Sequence, residues 1–193
     1  MGPAGQSNNT APADRSRRRL LGRLATAAVG FSVAPAVLAA PRRQAARRLA
    51  FHNLHTGEEL ETTYWRNGYY VPAAIRRINW ILRDFRVGRA ISMDMRLLDL
   101  LHRLDGELDA RGRFQIISGY RSPQTNRMLR VRSGGVAKHS LHIVGRAVDI
   151  RLPDYGLADL RDAAMALRMG GVGYYPRSAF VHVDTGRVRH WGY

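Results

Sequence analysis

Hydrophobic residues recur at two different periods along this chain, and each period predicts one kind of secondary structure. Spacings of three and four predict amphipathic helices over residues 73–86, 95–108 and 157–167. A further helix is predicted from Pro123 to about Arg130, because proline is well suited to a first helical turn. The apolar stripes of these helices are expected to pack into one core.

Short apolar runs and alternating stretches predict strands before and between the helices. A hairpin is expected over residues 49–65, around a Thr-Gly turn and followed by a second turn at Asn67-Gly68. Five further short strands are predicted, at residues 114–120, 145–152, 172–175, 179–184 and 188–191. Strands and helices therefore follow one another from about residue 49 to the end of the chain.

Two of the predicted strands place polar side chains on the face opposite their apolar residues. In 145–152 the alternation turns Asp149 away from the apolar layer, and in 180–184 it puts His182 and Asp184 on one face. Side chains that share a strand face lie close together, so His182 and Asp184 are expected to reach the same pocket.

His142 adds a second imidazole, in a glycine-containing loop seven residues before Asp149. With His182 these residues form a set of two histidines and one carboxylate, which suits a catalytic zinc site with one position left for water. By ligand type alone iron is the alternative. The competing interpretation is structural, with a loop hydrogen bond for His142, an arginine partner for Asp149 and a satisfied strand histidine at His182.

Composition limits the classes of protein that fit this chain. Its 193 residues, 45% of them hydrophobic, are compatible with a single globular domain. The chain has no cysteine, so a metal would have to be held by His, Asp or Glu. The net charge of +16 raises the possibility of nucleic-acid binding. However, the arginines are spread along the whole chain and Lys138 is the single lysine, which favours a bias in amino-acid usage or attraction to acidic cell-wall peptides.

The N-terminal region has the pattern of an export signal. A twin-arginine sequence at 16–21 precedes an alanine-rich apolar run at 24–34, which is too short for a stable membrane span. We expect a twin-arginine signal peptide over 1–39, cleaved after Ala39, then a linker over 40–50 and one domain over 51–193. Cleavage removes five arginines and one aspartate and lowers the net charge from +16 to +12. The predicted location is the periplasm; the alternative for 1–39 is a disordered basic arm.

Several motifs in the second part of the chain together resemble one known group of enzymes. The pattern Ser140-x-His142-x-x-Gly145-x-Ala147-x-Asp149, preceded by residues 118–121 and followed by His182, is similar to the D-Ala-D-Ala metallopeptidase, or hedgehog-like, zinc peptidases. Within that group the chain most resembles the YcbK-like murein endopeptidases. This closer resemblance rests on residues 54–57, 67–86, 118–123, 171–176 and 180–186, and it spans roughly residues 50–193.

The resemblance implies an α+β fold with a small, mainly antiparallel sheet packed against three or more helices. It also implies a Zn²⁺ ion held by His142, Asp149 and His182, which would hydrolyse peptide bonds in the cross-linked stem peptides of peptidoglycan. Arg121 matches the family arginine that orients substrate and stabilises the developing oxyanion, and Tyr174 is a candidate for binding substrate. We expect a monomer that binds peptidoglycan stem peptides, with no nucleic-acid partner.

The chain departs from the wider family at the position of the general base. Van-type members carry a glutamate three residues before the last histidine ligand, and here that residue is Ala179. Asp184 is the candidate base, although it could equally orient His182, and His139 is a second candidate. The alternatives to an endopeptidase are a non-catalytic peptidoglycan-binding or scaffolding protein and a D,D-carboxypeptidase. The choice between D,D and L,D bonds stays open.

Overall fold

The computed structural model describes residues 45–110, 112–133 and 135–192. The predicted signal peptide, its cleavage site and the first residues of the predicted linker lie outside these ranges. Within them, no helix is both long and apolar enough to cross a membrane.

Eight strands and four helices make up the described part of the chain. The strands are β1 (Arg47–Asn53), β2 (Glu59–Arg66), β3 (Tyr69–Tyr70), β4 (Phe114–Ser118), β5 (Ala147–Arg151), β6 (Gly171–Tyr175), β7 (Phe180–Asp184) and β8 (Arg189–Trp191). The helices are α1 (Pro72–Ile81), α2 (Met95–Glu107), α3 (Pro123–Ser133) and α4 (Leu157–Ala166). Short 3-10 helices at Leu141–Val144 and Pro176–Ser178 precede β5 and β7.

The strands form one sheet in the order β3-β2-β1-β4-β5-β7-β6-β8. The α+β class is confirmed, but the prediction of a small, mainly antiparallel sheet is wrong, because the sheet is large and mixed. Strand β1 runs parallel to β4, and β6 runs parallel to β8. A parallel pair requires a long crossover, and the connection between β1 and β4 runs through β2, β3, α1 and α2. Local alternation does not reveal such a pairing.

The first strand begins inside the stretch that was predicted to be a linker. Leu49 is buried on β1, and the guanidinium of Arg47 forms an ion pair with Asp99 of α2 at 2.6 Å. Residues 47–50 are therefore part of the folded domain and form the start of the first strand of a hairpin, whose two long strands and turns match the prediction.

The predicted helical stripes form the core against one face of the sheet. Helix α2 begins after Asp94, whose side chain accepts a hydrogen bond from the backbone N–H of Arg96 at 3.0 Å. Helices α1, α2 and α4 pack on β2, β1 and β6–β7 respectively. The fully buried side chains of α1 and α2 include Ile78, Leu97, Leu98, Leu101 and Leu104.

Helix α1 ends earlier than its sequence pattern predicts. It stops at Ile81, and the chain then turns so that Asp84 and Arg89 exchange backbone hydrogen bonds of 2.9 and 3.2 Å. Phe85 and Arg86 therefore lie on a turn instead of a helix. This turn places Arg86 at the cleft described below.

Candidate metal centre

One row of residues across the sheet gathers most of the candidate site. Neighbouring strands pair Ser118 with Asp149, Asp149 with His182, His182 with Gly173, and Gly173 with Trp191. Directly opposed residues share a face of the sheet, so these side chains all project away from the helical core. Asp149 and His182, which strand alternation turns away from the apolar layer, therefore lie next to each other on the same face of the sheet.

His142 reaches this row from the 3-10 helix at Leu141–Val144. That helix ends at Gly145, whose φ of 67° lies in the left-handed region, and a Cβ there would stand 2.7 Å from the carbonyl oxygen of Ser92. The backbone N–H of Arg121 donates to the carbonyl oxygen of His142 at 3.1 Å. Glycine at this position therefore lets the loop fold closely enough to bury His142 beside the sheet.

The three predicted ligands present their donor atoms at one point. His142 Nε2 lies 3.1 Å from Asp149 Oδ1 and 3.1 Å from His182 Nδ1, and His182 Nδ1 lies 2.8 Å from Asp149 Oδ1. Ligands at about 2.0–2.1 Å from a tetrahedral Zn²⁺ would be roughly 3.3 Å apart. The observed triangle and its two-imidazole, one-carboxylate chemistry therefore fit a zinc ion. Among the described residues, this is the one group of three or more His, Asp or Glu side chains whose donor atoms lie close enough together to hold a metal ion.

Each histidine uses its other ring nitrogen to bond a fixed acceptor. Nδ1 of His142 lies 2.7 Å from the carbonyl oxygen of Gly119, and Nε2 of His182 lies 3.1 Å from Oδ2 of Asp184. A carbonyl or carboxylate acceptor fixes the proton on that nitrogen and leaves the other lone pair for a metal. Burial also lowers the pKa of His142, which favours the neutral imidazole that a metal requires.

Asp149 divides its two oxygens between the metal triangle and an arginine. Oδ1 faces the histidines, while Oδ2 accepts from Nη2 of Arg121 at 2.7 Å; Nε of the same guanidinium donates to Ser118 Oγ at 3.0 Å. Burial opposes ionisation of Asp149, but its interactions with His142 and His182 hold the pKa of Asp149 below the ordinary range. Asp149 is therefore ionised, as a metal ligand has to be, and Arg121 orients its carboxylate.

Asp184 is completely buried and both of its oxygens are occupied. Oδ2 contacts His182 and accepts from Arg189 Nη2 at 2.7 Å, and Oδ1 accepts from the backbone N–H groups of Gly171 at 3.1 Å and Gly186 at 2.7 Å. A Cβ at Gly171 would collide with this ion pair. Burial opposes its charge, yet the hydrogen bonds from His182 and Arg189 hold the pKa of Asp184 below its usual value.

A cleft of about 730 Å³ opens over the metal triangle. Trp191 forms part of its lining, with its ring centroid 5.3 Å from that of His182, and its indole N–H donates to the hydroxyl of Tyr175 at 2.7 Å. The Trp191 ring lies so close to β6 that a Cβ at Gly173 would be 2.6 Å from it.

Tyr174, the predicted substrate-binding residue, is not brought into this cleft. It pairs with Val181 on the core side of the sheet, and the guanidinium of Arg161 lies 4.7 Å from its ring. Because side chains alternate along β6, the neighbouring Tyr175 faces the cleft instead.

Further residues line the cleft from loops and turns. His139 is exposed there. Ala179, at the position compared above with the glutamate of Van-type members, is exposed in the turn between β6 and β7 and is not among the residues that line the cleft. Arg86 and Arg189 also line the cleft, although no pattern in the sequence assigned either of them a role there. Both reach it through tertiary packing.

A known protein family matches nearly the same residues as those that the structure describes. The family model Peptidase_M15_2, described as peptidoglycan L,D-endopeptidase MepK, matches residues 42–191. No solved structure matches the chain.

Two curated relatives cover nearly the same length. Peptidoglycan L,D-endopeptidase MepK of Escherichia coli (strain K12) is 44% identical over 182 residues, 92% of this chain and 98% of the relative. The probable peptidoglycan L,D-endopeptidase MepK of Haemophilus influenzae is 39% identical over 180 residues, 92% of this chain and 96% of the relative.

Proposed function

The chain belongs to the peptidoglycan L,D-endopeptidase MepK family, and on this basis we propose that it is a metallopeptidase that hydrolyses peptide cross-links in peptidoglycan. The predicted family and enzyme class are confirmed by these relatives. The observation that carries the function is the triangle of donor atoms from His142, Asp149 and His182, which lies at the floor of an open cleft.

The bond we propose as the substrate is the L,D cross-link. The support is the printed name of the relatives, which are 39–44% identical over almost the whole chain. The alternative of a D,D-carboxypeptidase has no comparable support. A non-catalytic scaffold is disfavoured because all three donor atoms and their outer hydrogen-bond partners are present and correctly oriented.

We propose zinc as the metal, held by His142, Asp149 and His182. When bound, zinc acidifies a water molecule and polarises a carbonyl group. The donor set supports this choice, since imidazole suits zinc and the cluster includes no sulfur ligand. Iron binds similar ligands and is the outcome that metal analysis would have to exclude.

Arg121 has two roles in this proposal. Its Nη2 holds Oδ2 of Asp149, which keeps the other carboxylate oxygen directed at the metal position. The guanidinium also lines the cleft, where its remaining N–H groups can donate to the carbonyl oxygen of the scissile peptide. Negative charge develops on that oxygen in the transition state, so a fixed donor there favours reaction.

Asp184 is better suited to orienting His182 than to accepting a proton from water. Its two oxygens are bonded to His182, Arg189 and two backbone N–H groups, and it has no exposed surface. The proton acceptor is then another group in the cleft, and His139, which is exposed and lines it, has suitable chemistry.

A protein that acts on peptidoglycan works outside the cytoplasm. Export by the twin-arginine pathway is the route that we propose, and it rests on residues 16–39 of the sequence.

Digestion of defined cross-linked muropeptides, followed by mass analysis of the products, tests the function directly. We expect monomeric products from L,D-linked dimers, close to one zinc per chain, and inhibition by chelators. Products from D,D-linked dimers alone would overturn the proposed bond. Full zinc occupancy without any muropeptide product would instead favour the binding protein.

A further inference from the structure

The charged side chains that line the cleft do not balance. Three arginines and two carboxylates lie there, together with histidines. Arg121 pairs with Asp149 and Arg189 pairs with Asp184, each at 2.7 Å. Arg86 has no carboxylate within ion-pair distance among the described residues. One cleft arginine is therefore left without an acidic partner.

Arg86 is held in place by aromatic stacking. Its guanidinium lies 4.3 Å from the centre of the Phe85 ring, and that ring stacks on His55 at 4.2 Å with an angle of 17° between planes. His55 in turn hydrogen-bonds through Nε2 to the carbonyl oxygen of Ile117 on β4 at 2.9 Å. The arginine is thus stacked on a platform anchored to the sheet, which reduces the entropy lost on binding a ligand.

The nearest acid does not neutralise Arg86. Asp84 is buried, and its oxygens accept from the backbone N–H groups of Arg86 at 3.1 Å and Ser122 at 2.9 Å. Burial lowers the pKa of Arg86, Asp84 opposes this change, and the positive charges of Arg121 and Arg132 lower the pKa further. Burial is the main cause of this shift, and the Arg86 guanidinium, which has no carboxylate within ion-pair distance among the described residues, is available to an anion.

We infer that Arg86 is a carboxylate-binding subsite of the cleft, which holds a free carboxylate of a stem peptide while the peptide lies over the metal centre. The inference rests on the proposed function for the identity of the peptide. A planar guanidinium presents two parallel donors to a carboxylate, and stem peptides retain free carboxylates beside their cross-links. The Arg86 subsite would thus select acidic peptides over their amidated forms.

Affinities of the metal-loaded full chain and its variants for two matched peptides test this subsite. The probes are an uncross-linked stem peptide with free carboxylates and the same peptide with these groups converted to carboxamides. Calorimetry would compare wild type, Arg86→Gln and Arg86→Lys with Arg89→Gln. Arg89 is exposed on the same turn and outside the cleft lining, so its variant matches the change in charge.

For the free-carboxylate peptide, we expect Arg86→Gln to weaken binding about tenfold, as befits one partly solvated charge-assisted contact. Arg86→Lys should recover part of the loss, and Arg89→Gln should bind as wild type does. For the carboxamide peptide, wild type and Arg86→Gln should bind equally. Equal losses on both peptides, no loss, or no binding by wild type would each overturn the subsite.

Hydrolysis of cross-linked dimers by the same proteins separates this inference from the proposed function. If wild type cleaves the dimers, the Arg86→Gln effect should appear in KM and leave kcat nearly unchanged. If wild type binds the acidic peptide through Arg86 but cleaves nothing, the subsite stands and the proposed function fails.

Discussion

Two parts of the cleft lining differ in how their charges are partnered. In the candidate metal centre His142, Asp149 and His182 are 1%, 3% and 9% exposed, and each side chain has a second hydrogen-bond partner besides the other two. The Arg86 subsite is exposed and rests on stacked rings. Groups that hold a metal need fixed positions, whereas a group that captures a substrate has to remain open to solvent.

The difference follows from the elements that supply each part. Asp149 and His182 lie directly opposite each other on central strands, so the register of β5 and β7 fixes the positions of their side chains relative to each other. Arg86 belongs to a turn beyond the end of α1. Loss of a residue should therefore be severe at the metal centre and graded at the Arg86 subsite.

The strongest way to break the metal centre is His142→Ala. We expect complete loss of hydrolysis and of stoichiometric zinc, because two remaining ligands do not form a stable site. Zinc content by mass spectrometry and muropeptide release would measure both. His52→Ala, on β1 and outside the cleft lining, is the control. Retained zinc with lost hydrolysis would contradict His142 as a ligand.

Arg121→Ala should have the next largest effect. We expect kcat to fall by about 10²–10³, the usual result of removing one oxyanion donor, with zinc affinity reduced as Asp149 loses its partner. Arg127→Ala, exposed on α3, is the matched control. Since the variant removes the arginine partner of one oxygen of the buried Asp149, its melting temperature should be measured, and Arg121→Lys should recover more stability than kcat.

Asp184→Asn distinguishes the two roles open for Asp184. If Asp184 orients His182, zinc affinity and kcat/KM should both fall about 10- to 100-fold. Chelator competition measures the affinity and steady-state kinetics measure the rate. Asp162→Asn, at an exposed ion pair on α4, is the control. Unchanged zinc affinity with a greatly reduced kcat would support the general base instead.

The smallest expected effect concerns Asp84, which supports the turn of the Arg86 subsite. Although burial opposes its charge, hydrogen bonds from Thr125 and Ser122 hold the pKa of Asp84 below its ordinary value. The unfolded chain therefore binds the proton more tightly, and Asp84 contributes stability above its unfolded pKa of about 3.9. That contribution is lost as the pH falls through the lower folded pKa.

Urea unfolding at pH 7 and at pH 3 measures this contribution. Asp84→Asn should lower the free energy of unfolding by about 1–2 kcal/mol at pH 7, and the difference from wild type should shrink in acid. Measurements with a chelator keep metal release out of the comparison. A difference independent of pH would show that shape and packing, and not the charge, matter at this position.

Some features of this protein were determined by local sequence. The helical stripes of α1, α2 and α4 and the cap at Asp94 are visible because each depends on residues a few positions apart. The faces of Asp149 and His182 follow from strand alternation in the same way. The three residues that the family resemblance indicated as metal ligands are the three whose donor atoms the structure brings together.

Other features were decided by tertiary structure alone. The parallel pairing of β1 with β4 joins strands separated by two helices, and no local period specifies such a partner. Tyr175, not Tyr174, enters the cleft because β6 pairs with β7 in one register. A one-residue change in that register would exchange the two faces.

The environment of each charge was the least predictable feature. Sequence left Asp184 with two possible roles, and its pairing with Arg189 across β6 favours one of them. Arg86 closes the segment 67–86 that carries part of the family resemblance, but the sequence assigned it no role, and only packing left it stacked and without an acid in ion-pair contact among the described residues. Local periodicity determines which way a side chain points, but the charge balance of a site depends on residues brought together from distant parts of the chain.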